Sequence, residues 1–388
     1  MKIVNVLKKS ILITFALIFL LSSTDQSVSQ ENTEQFEWKS SPPSEQGVSE
    51  RELQSMIQGL KEHGTAGALV IKNDRIVCEW YSPQLGRTQK HYTASLAKAL
   101  VGGMSLLLAL QDGLLQIDDP AAQYIKAWKD DPTRAGVAIR HLATHSSGVE
   151  DAHVDGMGHM ELGGWKTRFW KQDPDPFTIA RDWAPMKFKP GAGFEYSNPG
   201  MALLSYAVTA ALQNSPHKDV RTLLRERIMH PIGADDSEWS CGYGKTFTVD
   251  GLPLVANWGG GNYTARAVAR IGRLMLRRGN WEGRQILDPD IVKMVTSDAG
   301  APDPYRGPGE GPCPRAGLAW WVNSDRVLTQ LPQDAFMGAG AGNQVLLVIP
   351  SLDLIAVRFG GLIEQDNFWG GMEAYLFNPL MRSVESQK

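Results

Sequence analysis

Cysteine is scarce in this chain of 388 residues: there are three, Cys78, Cys241 and Cys313. An exported protein of this size held together by disulfides carries more, in even number. The three allow at most one bridge plus a free thiol, and they read best as incidental. None lies in a C-x-x-C pair or near a histidine at ligand spacing, and the eight histidines form no H-x-H or H-E-x-x-H pattern. A zinc site is therefore disfavoured, and neither a metal nor another cofactor is expected. No charge sign dominates: 39 Lys plus Arg stand against 42 Asp plus Glu, a net charge of −3. The chain has no basic footprint for nucleic acid and no polybasic patch for a membrane surface. The N-terminal apolar stretch ILITFALIFLL (11–21) is too short to span a bilayer comfortably.

That stretch follows Lys2, Lys8 and Lys9 and precedes Ser27-Val28-Ser29, a small-x-small cleavage site. We read residues 1–29 as a cleaved signal peptide, an uncleaved anchor being the alternative. No cysteine follows the run to take a lipid. The expected location is secreted or periplasmic, with no stable membrane contact after cleavage. Residues 30–48, with their Pro-Pro pair, read as a polar tail. Residues 49–388 are expected to form a single domain.

Hydrophobic residues make up 43% of the chain, enough for a sizeable core. The runs AGALVIK and RIVCEWY flank Asn73-Asp74 and predict a β-hairpin. Leu96, Ala99/Leu100, Gly103, Leu106/Leu107 and Leu110 recur at helical spacing up to Asp112-Gly113. A second helix is predicted over 264–279, with Thr264 near its N-cap and Gly279 at its end. Strands are predicted at 317–323, 343–350 and 353–360, the last two as a hairpin around Pro350-Ser351-Leu352. Strands thus lie at both ends and helices in the middle. The expectation is an α+β fold: an antiparallel sheet from about 49–94 and 250–388, and a largely helical region over about 95–249. Residues 150–193, rich in Gly, Trp, Met and Pro, read as a long irregular insert. Its Trp165, Phe169, Trp170 and Phe177 favour packing over a cleft, with surface packing the alternative.

Three stretches could carry chemistry. In YTASLAKA (92–99), Ser95 and Lys98 are three apart and share one helical face. A serine needs an adjacent base to be nucleophilic, and a lysine buried in an apolar wall can become one. The same spacing also describes a helix-capping serine beside a solvated lysine. In PGAGFEYSNPG (190–200), Tyr196 offers a second proton-transfer group and Asn198 a donor and acceptor to orient Lys98 or a substrate amide. Y-S-N-P-G is equally good turn chemistry. In FMGAGAGNQVLLVIP (336–350), a glycine-rich entry to a strand admits close backbone approach. An N–H there could pair with that of Ser95 as an oxyanion hole; a plain bulge is the alternative. His141 and His145 are expected as satisfied interior histidines, His91 as a cleft residue, and His153 and His159 as insert residues that could reach a substrate.

Taken together, Ser95-Leu96-Ala97-Lys98 and Tyr196-Ser197-Asn198 resemble the S-x-x-K and Y-x-N motifs of the serine β-lactamase and penicillin-binding-protein superfamily. The resemblance is to its broad branch of class C-like β-lactamases, esterases, D-amino acid peptidases and 6-aminohexanoate-dimer hydrolases. RHLATHSSG (140–148) resembles that branch's RHLLTHTSG. Trp258-Gly259-Gly260-Gly261 with Thr264-Ala265-Arg266 resembles its glycine-rich turn and TARDLARFG helix, and the blocks run in family order from about 50 to 380. The resemblance implies a β-lactamase/transpeptidase-like fold with Ser95 as the acylated nucleophile and Lys98 sharing its proton. It implies Tyr196 as general base or acid, and Asn198, Gly338, Gly340 and Ala341 as substrate-binding or orienting positions. Where many relatives carry K-T-G or H-x-G, this chain has Gly338-Ala339-Gly340 or, in a shifted register, Gly340-Ala341-Gly342, with no cation to meet a substrate carboxylate. That favours a neutral ester or a 6-aminohexanoate-type amide as the small-molecule substrate over a β-lactam or a D-Ala-D-Ala peptide, an arginine from elsewhere in the chain supplying the cation being the alternative. An inert binding protein on the same scaffold is the other alternative. The sequence leaves the oligomeric state open.

Overall fold

The computed structural model describes residues 36–304, 313–364 and 367–385. The expected signal peptide and residues 30–35 lie outside them. The fold is α+β. One eight-stranded sheet runs in the order Lys39–Ser40, Arg75–Tyr81, Thr65–Lys72, Leu354–Gly360, Gln344–Ile349, Phe336–Gly340, Trp321–Val322, Arg315–Ala316. Every neighbouring pair is antiparallel except the first, which is parallel.

The central strands are apolar on both faces, and the period of two explains why. Leu69, Ile71, Leu346, Val348, Ile355 and Val357 point into one core. Their alternates Ala68, Val70, Val345, Leu347, Leu354 and Ala356 point into a second. The second core is closed by the helices Glu50–Glu62 and Asn378–Glu385, which pack on each other. The first is closed by the helix Ala265–Leu276. Its Gly272 lies against the sheet so closely that a Cβ would sit 2.8 Å from Leu346 Cδ1.

The predicted Asn73-Asp74 hairpin is present. Both turn residues have positive φ, 52° and 58°, the twist that suits two antiparallel strands. The helix over 264–279 runs Ala265–Leu276, with Thr264 Oγ1 accepting from the Ala267 N–H and Gly279 at φ 81°. The hairpin around Pro350–Leu352 also forms. The strand expected over 317–323 shrinks to Trp321–Val322, because Ala319 turns the chain at φ 63°. Residues 36–48 are part of the folded body, against the expectation of a tail. Phe36 stacks edge-on with Trp38 and Trp281, and Lys39–Ser40 adds the outer parallel strand. Two aromatics in a polar stretch are enough to dock it.

The central helix, Ala94–Gln111, is apolar all round because it is buried all round. It starts as a 3₁₀ turn (Ala94–Leu96), widens to π over Lys98–Gly103 and continues as α-helix (Met104–Gln111). π turns are rare and often sit at functional sites. Gly102 and Gly103 let it approach its neighbours: a Cβ would meet Met201 Cε at 2.7 Å and Trp320 Nε1 at 2.6 Å. The helix Asn198–Leu212 is thereby drawn against the turn that carries Lys98.

Leu346 is fully buried under Ala265–Leu276. Leu346→Ala should cost about 3 kcal/mol of stability, read by urea unfolding.

Candidate active site

Ser95 sits on a sharp turn. Ala94 has φ 45°, a left-handed conformation that a non-glycine residue adopts only when its surroundings impose it. They do so here: the Thr93 N–H donates to Gly261 O at 2.9 Å, the Thr93 hydroxyl to the same oxygen at 3.1 Å, and the Leu96 N–H to Thr93 O at 3.1 Å. Gly261 has to be glycine, since a Cβ would lie 2.5 Å from Thr93 Oγ1. The turn sets Ser95 in the first turn of the central helix, facing the cleft.

Lys98 is buried, 4% exposed, and its Nζ makes three contacts: Ser95 Oγ at 3.0 Å, Asn198 Oδ1 at 2.7 Å and Trp258 O at 3.0 Å. Two are carbonyl oxygens, which can only accept. A neutral amine gives its two N–H bonds to them, and its lone pair then points at the Ser95 hydroxyl. A charged amine donates to all three. The site therefore suits both states and fixes the direction of a proton shared with serine. Burial lowers the Lys98 pKa to about 7, against the opposing charge of Asp151.

Asn198 begins the helix Asn198–Leu212, whose N-cap Ser197 accepts from the Gly200 N–H at 2.9 Å. Tyr196 precedes the cap. Its ring lies 4.6 Å from Lys98 Nζ, parallel to Trp321, and it lines the same cleft as Ser95. Burial pushes the phenol well above its usual range. A phenol of this kind keeps its proton near neutral pH, so it is better placed to give one than to take one. His145, expected as an interior histidine, is buried under the Tyr196 ring at 4.5 Å, and its Nδ1 accepts from the Ser197 N–H. Burial and the Lys98 charge pull its pKa to about 3, so it is neutral.

The glycine-rich stretch differs from the expected strand entry: Phe336–Gly340 is itself an interior strand, and the turn follows at Ala341–Asn343. Gly340 lies on the start of the central helix. A Cβ there would be 2.4 Å from Thr93 O and 2.8 Å from Ser95 N. Ser95, Gly340 and Ala341 line one cleft. Gly338 is set against Leu96 Cδ1 and Ala99 Cβ, at 2.5 and 2.8 Å from a would-be Cβ. A cationic side chain has no room there.

Two contributors had escaped the sequence reading. The Trp258 carbonyl is a backbone atom and has no signature of its own. Asp151 lies in the irregular stretch after the glycine of RHLATHSSG. Its Oδ1 accepts from both the backbone N–H and the side-chain amide of Asn198.

A family model described as beta-lactamase matches residues 53–359. The chain belongs to the beta-lactamase family. It is 22% identical to the 6-aminohexanoate-dimer hydrolase of Paenarthrobacter ureafaciens over 347 residues, 86% of this chain and 82% of that one. Its fold matches that of a Bacillus anthracis protein provisionally assigned as a 6-aminohexanoate-dimer hydrolase, with TM-score 0.67, 18% identity and coverage of 91% and 89%. It also matches EstCE1, a hydrolase with promiscuous acyltransferase activity, with TM-score 0.62, 15% identity and coverage of 86% and 97%. Members of the beta-lactamase family are generally serine hydrolases, and the Ser95 cluster lies within the matched span.

In this family member the cluster opens into a cleft of about 790 Å³. Trp170, Phe194, Tyr243, Trp258, Trp321 and Trp369 form its walls, and His153 and His159 reach it, His159 stacked on Trp170 at 3.7 Å. Of the insert aromatics, only Trp170 faces the cleft. Phe169 and Phe177 are core residues edge-on or tilted to Trp258, and Trp165 packs against the same core. His91 does not line the cleft as expected: it stacks between Tyr92 and Phe359, and Tyr92 takes that place. Among the described residues, no Arg or Lys other than Lys98 lines the site.

Gly340→Ala forces backbone apart at Ser95. It should lower stability by about 1–3 kcal/mol and displace the Ser95 amide, measured by thermal unfolding and by a crystal structure of the variant.

Proposed function

We propose that this protein is a serine hydrolase that cleaves a neutral ester or amide through an acyl-enzyme on Ser95. The observation that carries this reading is the Lys98 amine, held by two carbonyl oxygens with its remaining tetrahedral position on Ser95 Oγ. Ser95 Oγ attacks the substrate carbonyl carbon, and its proton passes to Lys98. The carbonyl oxygen becomes an oxyanion in reach of the Ser95 and Ala341 N–H groups. The tetrahedral intermediate collapses, and the leaving alcohol or amine takes a proton from Tyr196, which Lys98 re-protonates. Water then adds to the acyl carbon, giving a proton back to the same pair, and the acid departs as Ser95 Oγ is re-protonated.

The substrate class follows from what the cleft offers: aromatic walls and, among the described residues, no cation beyond Lys98 for a carboxylate. The relative from Paenarthrobacter ureafaciens, a 6-aminohexanoate-dimer hydrolase, supports a linear amide as one candidate. The apolar N-terminal leader supports action outside the cytoplasm.

A serine-directed fluorophosphonate should add once to the wild type. Ser95→Ala should lose the adduct and at least about a thousandfold in kcat. Labelling that persists in Ser95→Ala would remove the assignment, and binding without turnover of a p-nitrophenyl ester, a linear amide oligomer or a cephalosporin would favour the inert binding protein. The acylation rate should rise with pH through about 7, because the amine that takes the serine proton forms above that value.

A further inference from the structure

Behind Asn198 stands a carboxylate with no contact to Ser95. Asp151 is buried, 7% exposed. Its Oδ1 accepts from the Ala152 N–H at 2.8 Å, the Asn198 N–H at 2.7 Å and the Asn198 side-chain amide at 3.0 Å; its Oδ2 lies 3.2 Å from that same amide nitrogen. Each partner is an N–H, and none is a cation. Burial raises the Asp151 pKa, and the Asn198 and Ala152 N–H bonds and the Lys98 charge work against that rise; an ionised carboxylate only accepts, so this donor set matches the anion.

The consequence for Asn198 is geometric. Its amide could be turned either way by rotation of the side chain. With Nδ2 on Asp151, the oxygen has to face Lys98, where it accepts at 2.7 Å. Turned over, the oxygen would face a carboxylate and the NH₂ would face the amine, so both ends would be mismatched in a buried place. The chain Asp151–Asn198–Lys98–Ser95 is thus polarised in one direction.

We propose that Asp151 is a positioning residue of the acyl-transfer site: it fixes the Asn198 amide with its oxygen toward Lys98 and steadies the charged form of that lysine from behind. The proposal rests on Ser95 being the nucleophile. The other titratable groups around the pair are His145 and Tyr196 facing Lys98, His159 and Tyr196 facing Asp151, Glu195 at 3.4 Å from the Asp151 N–H, and Cys313 acting on Tyr196. Of these, His145 and Tyr196 hold one protonation state near neutral pH.

The sign of the effect is fixed. The Asp151 charge favours the ammonium, so removing it makes the free amine available at lower pH. Asp151→Asn keeps an acceptor oxygen for the Asn198 and Ala152 N–H groups at Oδ1 and removes the charge together with the longer contact at Oδ2. Asp151→Ala removes the acceptor too. The experiment is the rate of fluorophosphonate addition as a function of pH, with the adduct located by mass spectrometry. Ser95 displaces fluoride from phosphorus, so the rate reads the availability of the serine proton acceptor. For Asp151→Asn the acid limb should move down by about one pH unit while the plateau is largely kept. For Asp151→Ala the plateau should fall by about a hundredfold as the amide loses its orientation. A residue that merely stabilised the loop would leave the limb where it is. An Asp151→Asn limb that stays in place or moves up overturns the proposal even if Asp151→Ala fails to fold, and Ser95 labelling in the wild type then leaves the nucleophile intact. Absence of any Ser95 adduct in the wild type overturns both.

Discussion

A lysine amine enclosed on every side is costly, because taking an ammonium out of water carries a penalty of several kcal/mol after relaxation. The surroundings of Lys98 offset that penalty. Two carbonyl oxygens and a hydroxyl take its protons, the Tyr196 ring lies 4.6 Å away, and the Asp151 carboxylate stands behind Asn198. The compensation is incomplete, and the amine is left near neutrality. The rest of the site is built to bring those groups to one atom. They come from the central helix, the cap of Asn198–Leu212, the turn at Trp258–Gly261 and the loop at Asp151, which lie far apart along the chain.

Bringing four segments to one point demands backbone approach closer than side chains permit. Glycine supplies this at Gly102, Gly261 and Gly340, where a Cβ would sit 2.4–2.7 Å from a neighbour. The left-handed Ala94 has the opposite character. It is a strained residue held by the Thr93–Gly261 bonds, and it aims Ser95 at the cleft. The strain and the close approach share residues: Gly261 both accepts from Thr93 and leaves room for its hydroxyl. Gly340 presses on the same turn from the sheet side, so the sheet and the central helix locate one serine.

Much of this was legible in the sequence because it rests on local rules. The Asn73-Asp74 hairpin and the Thr264 cap follow from dihedral preference, and QVLLVI and LIAVRFG read as strands from their short, β-prone apolar composition. Ser95 and Lys98 were legible through a fixed helical offset. The Tyr196-Ser197-Asn198 loop was legible through its order relative to them. What escaped depends on tertiary contact alone. The Trp258 carbonyl belongs to a backbone that any residue could provide. Asp151 looked like one acid among many in a loop, and only the docking of Asn198 distinguishes it. Phe36 and Trp38 were hidden in polar company, and the insert aromatics Phe169 and Phe177 turned inward because Trp258 gave them a core surface rather than a cleft to cover.

The uncharged strand bears on chemistry through the same desolvation that shapes Lys98. A substrate carboxylate entering an aromatic cleft loses water and needs a fixed cation to replace it. Position 338, where a relative of the K-T-G type would offer one, is packed onto Leu96 and Ala99. Among the described residues, the charged groups that face the cleft besides Lys98 are Asp151 and Asp155, both acidic. Under the proposed function, an anionic substrate would meet a penalty of several kcal/mol that no cation among the described residues offsets, roughly two or more powers of ten in affinity. A neutral ester or amide sheds much less hydration and gains contact with the tryptophans. In the proposed mechanism the serine and lysine are indifferent to this choice, since they would act on the carbonyl common to all of these substrates. On that mechanism, selectivity is separable from acylation, and in this chain it would fall to the sheet edge and the aromatic walls.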